Sequence, residues 1–365
     1  MRENHLLGTT PPFDGATMVN EFGRSAECFK LMHDAKLNIV RIFMHFPFAD
    51  DTFTTFDEKY LADVESMKLY INEGIGVMAA INPGQFAADG MGTVSYVRKT
   101  PEWLGNYDED TYYEKLAKGL EYAARELKDM VTWWQIGNEQ DVRTFIGIQT
   151  HEQNVRWMQT AAKAVKKGNP DAKCGTNLAG LDLETGAVGV HPYAEKILRD
   201  TYASGDFDYV GLDAYFGSWH TGDTQDWIKY IDDAYAVTGK GVIISEWGYS
   251  TLQKGAPRPE EDKNRFFNSS VCREKDWGTV DGNMWRGKIH TEERQADYIR
   301  ECVKIFAEHP HCIGNLFFQW QDQENCWQCG EPDCPSECAW GCIRTDGTPK
   351  PGYYALAEEY NKYFG

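Results

Sequence analysis

The sequence predicts an α/β protein, a single (β/α)8 TIM barrel with long loops after strands 3, 7 and 8. Three observations point there. Short β-branched apolar runs alternate along the chain with amphipathic helical stretches, the pattern of parallel strands joined by crossover helices. Segments from a helix to the next strand are short (35–37, 73–75, 238–241), whereas those from a strand to the next helix are long (82–107, 177–191, 247–290, 320–351). Long strand-to-helix segments open at the C-terminal face of a β/α barrel, where its sites are built. The chain after the first strand, Thr10-Pro11-Pro12-Phe13, lacks the glycine-rich phosphate turn that open doubly wound sheets often carry.

Eight strands are expected at residues 5–9, 38–44, 76–81, 132–136, 173–176, 209–214, 242–245 and 313–319. Each is a short apolar run too brief for a helix. Between them, helical periodicity begins after Ser25 and runs to Lys36, after Asp57 to about Asn72, and from Asp108 to Lys128. It returns at 152–167, 224–237 and 291–308, and a last helix spans 353–363. Small polar residues precede several of these stretches and glycine follows several, as capping chemistry requires. With no Pro-rich or Gly/Ser linker in view, residues 1–365 read as one catalytic domain, with a cysteine-rich loop at 321–350.

Composition narrows the partners. The net charge is -19, and a surface so acidic repels phosphate backbones and anionic lipid, so neither nucleic acid nor membrane is expected. A neutral carbohydrate is not disfavoured, and the 13% of aromatic residues includes 12 Trp and 19 Tyr, rings that suit sugar faces as well as cores. No run approaches the 18 or so apolar residues of a membrane span, and the first residues lack a signal-peptide core. The expected location is the cytoplasm, or outside the cell after removal of a signal. Oligomeric state is left open.

Two strand ends carry the chemistry. Trp133-Trp134-Gln135-Ile136-Gly137-Asn138-Glu139 closes strand four and Val242-Ile243-Ile244-Ser245-Glu246-Trp247-Gly248 closes strand seven. In each, an apolar strand delivers a glutamate where the chain leaves the sheet. Paired carboxyls flanking a glycosidic bond, one protonated and one ionised, are what glycoside hydrolysis needs. Their mutual repulsion would raise one pKa, as the acid role requires. Strands four and seven face each other across a barrel mouth, so two long side chains can converge there.

These motifs resemble glycoside hydrolase clan A, the retaining barrel enzymes with catalytic glutamates on strands four and seven. The resemblance implies Glu139 as acid/base, Glu246 as nucleophile and Asn138 as donor to the sugar 2-hydroxyl. It also implies Arg41 and Tyr215 as partners of the nucleophile and Trp320 as the aromatic floor under the sugar. Asn138-Glu139 is followed by Gln140-Asp141, and strand six reads Leu212-Asp213-Ala214-Tyr215. Both depart from the cellulase-like members, so the family within the clan stays open. His45 and Trp247, at strand ends, are further candidates for substrate contact. Asn82, Asn177, His191, Trp219 and His220 are lesser ones.

The expected activity is retaining hydrolysis of a β-linked glycoside, glucan or mannan favoured and galactoside next, with no cofactor for catalysis. An inactive carbohydrate-binding barrel and a metal-dependent barrel hydrolase are the alternatives. Cys326, Cys329, Cys334, Cys338 and Cys342 cluster after strand eight. They could bind a structural zinc, form disulfides, or stay as thiols.

Overall fold

The computed structural model describes residues 5–12, 19–88, 94–142, 146–147, 149–181, 188–218, 220, 222–251, 284–285, 288–326 and 337–365. Among them, eight parallel strands close a barrel: β1 (Leu6–Thr9), β2 (Ile39–Phe43), β3 (Gly76–Ile81), β4 (Val131–Ile136), β5 (Lys173–Leu178), β6 (Tyr209–Asp213), β7 (Gly241–Trp247) and β8 (Cys312–Phe317). Each strand pairs with its neighbours in sequence, and β1 closes the ring on β8 with Leu6 opposite Gly314 and Thr9 opposite Phe317. The helices are α1 (Ala26–Asp34), α2 (Glu58–Asn72), α3 (Asp110–Glu126), α4 (His151–Gly168), α5 (Pro192–Tyr202), α6 (Asp226–Thr238), α7 (Glu292–Glu308) and α8 (Pro351–Phe364).

Several helix starts follow the expected capping. The Ser25 hydroxyl accepts the Cys28 N–H at 3.1 Å, and the Asp57 carboxylate accepts from Lys59 and Tyr60. Thr150 and Gln153 form a reciprocal capping box at α4, satisfying two N–H groups that a helix start leaves without partners. The sequence reading assigns no helix to α5, yet its cap is unusual: His191 Nδ1 accepts from Ala194 N–H, and Pro192 occupies the first turn. Proline is pre-set for that position and has no N–H to satisfy. A two-stranded hairpin, Gly84–Ala88 with Val94–Arg98, lies in the stretch after β3 expected to be loop.

Side chains alternate between two cores. Ile39, Met78, Tyr209, Ile243 and Leu316 fill the barrel interior, with Trp133 packed on them. Val40, Trp134, Val242 and Ile244 point outward into the shell under the helices. The barrel is thus a packed plug whose free end is the C-terminal mouth. The longest connections there follow β3, β7 and β8, as expected. Among the described residues no helix is long and apolar enough to cross a membrane.

Candidate active site

Inward alternation carries polar residues up to the mouth. On β2, Arg41 follows Ile39 on the inner face. On β4, Gln135 follows Trp133, and on β6, Asp213 follows Tyr209 two steps on. Arg41 is fully buried, and an ion so placed needs a partner. Its Nη2 donates to Glu246 Oε1 at 2.5 Å and to Thr10 Oγ1 at 3.2 Å, and its Nη1 donates to Gln135 Oε1 at 3.3 Å. Burial opposes the guanidinium charge, but Glu246 and Asp213 outweigh it and raise the pKa.

Glu246 reaches the mouth through an irregularity. Strict alternation after Ile243 would turn Ser245 and Trp247 inward and Glu246 out toward the helices. The β6–β7 register instead shifts between Leu212 and Asp213, so that Leu212 pairs with Ile244 and Asp213 with Glu246. Such a bulge re-aims the side chains beyond it. Glu246 then accepts from Arg41 on one oxygen and from the Tyr215 hydroxyl on the other, at 2.7 Å. Tyr215 is braced by His220, whose Nδ1 accepts the Tyr215 N–H at 3.3 Å.

Glu139 arrives differently. Gly137 at φ +85° and Glu139 at φ +50° turn the chain sharply after β4, the second a left-handed conformation that is uncommon for a residue with a side chain. An oxygen of Glu139, one of Glu246 and one of Asp213 lie within 4.8 Å of one another. Burial, then the charges of Glu246, Asp213 and Asp141, push the Glu139 pKa well above the ordinary carboxylate range, with Arg41 opposing. A carboxyl so raised holds its proton to higher pH than an ordinary glutamate does. Asn138 is oriented from below, its Oδ1 accepting from Gln135 Nε2 and Asn177 Nδ2, both at 3.1 Å. These two bonds fix the Asn138 amide with its oxygen turned to Gln135 and Asn177.

The sequence model of glycosyl hydrolase family 53 matches residues 13–272, a span holding both glutamates. The chain belongs to glycosyl hydrolase family 53. No curated protein matches it. Among solved structures, one from a study of two fungal β-1,4-galactanases is similar at 15% identity and TM-score 0.62, covering 97% of this chain and 99% of that one. The Ignisphaera aggregans GH53 catalytic domain gives 18% and 0.60, covering 97% and 95%. A β-glucuronidase from an uncultured Clostridium gives 18% and 0.59, covering 98% of this chain but 50% of its own, so the chain spans about half its length. These likenesses share the barrel fold.

Two expected sugar contacts of this family 53 chain are corrected. Trp320 is fully buried and packs edge-on against Tyr353 of α8, with ring centroids 5.9 Å apart. It lies outside the barrel wall and cannot floor a sugar. Phe318, in inward alternation with Leu316, stands instead near the mouth, partly exposed and 6.2 Å from the Tyr215 ring. Trp247 is also fully buried, against Phe306 of α7 and Phe317, because the bulge that turns Glu246 inward turns it outward. His45 is partly exposed at the end of β2, its Nδ1 2.9 Å from Asp63 Oδ2. It lines a small recess with Asn82, Lys99 and Thr100.

Of the cysteine cluster, Cys326, Cys338 and Cys342 are buried, while Cys329 and Cys334, like Cys272 and Trp219, lie outside the described residues. Cys342 Sγ donates to the Trp320 carbonyl at 3.3 Å, and burial pushes its thiol pKa upward. Asp213, Gln135 and Ser245 escaped the sequence reading. Asp213 carried the signal used for the two glutamates, an acid ending an apolar strand.

Proposed function

We propose that the chain hydrolyses a β-linked galactan or related β-galactoside with retention of configuration. Glu246 acts as nucleophile and Glu139 as acid/base. One observation carries the reading: oxygens of the two glutamates stand within 4.8 Å of each other. Retaining pairs lie about 5–5.5 Å apart between carboxyls, whereas inverting pairs need roughly 6.5–9.5 Å to seat a water. In the first step Glu246 bonds to the anomeric carbon while the Glu139 proton passes to the departing glycosidic oxygen. In the second, Glu139 takes a proton from water, whose oxygen attacks the same carbon and frees Glu246.

Arg41 and Tyr215 fix the Glu246 carboxylate from both oxygens, and the Asn138 Nδ2 meets the sugar 2-hydroxyl. Phe318 and His45 supply further contacts at the mouth. Family membership and the full-length similarity to a fungal β-1,4-galactanase structure support galactan over glucan or mannan. The test is a panel of aryl β-glycosides and β-1,4-linked galactan, glucan and mannan. Glu139→Ala and Glu246→Gln should each lose about 10³-fold or more in kcat, as expected for a lost acid or nucleophile. Azide should rescue only the Glu139 variant, on an activated leaving group. Near-normal turnover by either variant would remove that residue from the mechanism. Cleavage of glucan or mannan alone would overturn the galactan assignment.

A further inference from the structure

We propose that Asp213 is a positioning residue for Glu139, acting through the side-chain amide of Asn177. The inference rests on the reading of Glu139 as acid/base. Asn177, at the end of β5, is fully buried and makes three hydrogen bonds. Its Oδ1 accepts the backbone N–H of Glu139 at 2.9 Å. Its Nδ2 donates to Asn138 Oδ1 at 3.1 Å and to Asp213 Oδ2. The amide therefore holds the backbone of Glu139 and the side chain of its neighbour at once.

The position it holds is a costly one. Glu139 has φ +50°, and a non-glycine residue persists there only when its surroundings enforce it. An amide has two orientations of nearly equal shape. Flipped, Asn177 would set its NH2 group against the Glu139 N–H and its oxygen against the Asp213 carboxyl, losing all three bonds. Asn138 cannot by itself forbid the flip, because it too is an amide. Asp213 can, because its oxygen accepts in either charge state. The Ser245 hydroxyl stands 2.6 Å from Asp213 Oδ1 and 3.5 Å from the Leu212 carbonyl. With Asp213 ionised, Ser245 donates to it. With Asp213 protonated on Oδ1, the carboxyl donates to Ser245, which turns to Leu212. Oδ2 remains an acceptor for Asn177 both ways. Burial and the neighbouring Glu246 raise the Asp213 pKa well above normal, so the protonated state is accessible.

The test uses aryl β-galactosides whose leaving groups run from dinitrophenol to phenol. Acid assistance matters for phenol and hardly for dinitrophenol. Asp213→Ala should lose about tenfold more kcat/KM on the phenyl substrate than on the dinitrophenyl one, since kcat/KM reports the step in which the leaving group departs, general acid catalysis is worth about 10²–10⁴ and misplacement forfeits part of it. Asp213→Asn should recover most of the loss, its oxygen facing Asn177 and its NH2 facing Ser245. Asn177→Ala should reproduce the leaving-group dependence with Asp213 intact, which keeps the test open if Asp213→Ala does not fold. Equal losses on both substrates in Asp213→Ala and Asn177→Ala would overturn the inference. Glu139→Ala in the same series separates the two levels. If it too shows equal losses, the acid/base reading fails. If it is steep while the Asp213 and Asn177 variants are flat, the positioning role alone fails.

Discussion

The loop after β8 is pinned by a buried ion pair, and replacing Asp322 with Asn tests what holds it. Lys350 Nζ lies 2.8 and 2.7 Å from the two Asp322 oxygens and 3.0 Å from Thr251 Oγ1, and Gly341 N–H donates to Asp322 at 2.9 Å. Both charged side chains are buried. An ion pair alone would depress the Asp322 pKa. Burial wins: the carboxyl is raised from 3.8 to about 6, with Lys350 and the Gly341 N–H opposing. A group raised on folding stabilises the protein below its unfolded pKa and loses that contribution as pH rises through the folded one. Asp322 should therefore forfeit stability between about pH 4 and pH 6. A rise of about 2 units at 1.36 kcal/mol each comes to roughly 3 kcal/mol. The Asn variant, which cannot titrate, escapes that loss. Its penalty against wild type should be largest near pH 4 and shrink by about 3 kcal/mol toward pH 7.5, read as urea unfolding midpoints across that range. A penalty that grows with pH would show that pairing outweighs desolvation here and refute the reasoning. The same loop seats Trp340 against Tyr215, ring centroids 4.8 Å apart, so loosening the pin should also lower kcat/KM.

Three further outcomes follow from the site. Tyr215→Phe removes a hydrogen bond to an ionised carboxylate worth about 1.5–3 kcal/mol, so kcat/KM should fall by roughly 10- to 150-fold without loss of fold; an unchanged rate would place the hydroxyl outside the mechanism. Glu139 is raised from 4.5 by burial and its acidic neighbours, so its contribution to stability is lost as pH rises above that value. Glu139→Gln should accordingly unfold at higher urea than wild type at neutral pH, and the gap should close near pH 4. Trp320→Ala should cost about 3–5 kcal/mol in stability with KM unchanged, whereas Phe318→Ala should raise KM at little cost to folding; the reverse pattern would restore Trp320 as the sugar floor.

Most of the barrel was legible because its signals are local. Runs such as Val77-Met78-Ala79-Ala80-Ile81 are long enough for one strand and too short for a helix. Ser25, Asp57 and Thr291 announce helix starts by their own side-chain chemistry. Helix α5 went unread because His191 is a rare cap, and the hairpin after β3 because its first strand, Gly84-Gln85-Phe86-Ala87-Ala88, has no β-branched residue. Strand-end position together with the resemblance to clan A nominated Glu139, Glu246, Arg41 and Tyr215. It could not rank Trp320 against Phe318, since both are aromatic residues two positions apart at one strand end.

The sequence by itself determined the order of the eight strands and of every helix but α5, the face where the long loops gather, and the two glutamates at strand ends. Only tertiary structure decided which side of the sheet each residue meets beyond a strand's regular part. The shift at Leu212 and Asp213 turns Glu246 to the mouth and Trp247 to the helices, the opposite of what counting by twos from Ile243 gives. A bulge depends on how two strands pair, and that pairing is a property of residues 32 or more positions apart, as Ser245 is from Leu212 and Asp213. The same distance hid what Asp213 touches and left Asn177 only a lesser candidate. Their importance lies in one amide at the end of β5 held between partners at the ends of β4 and β6, a relation that no local run of sequence shows.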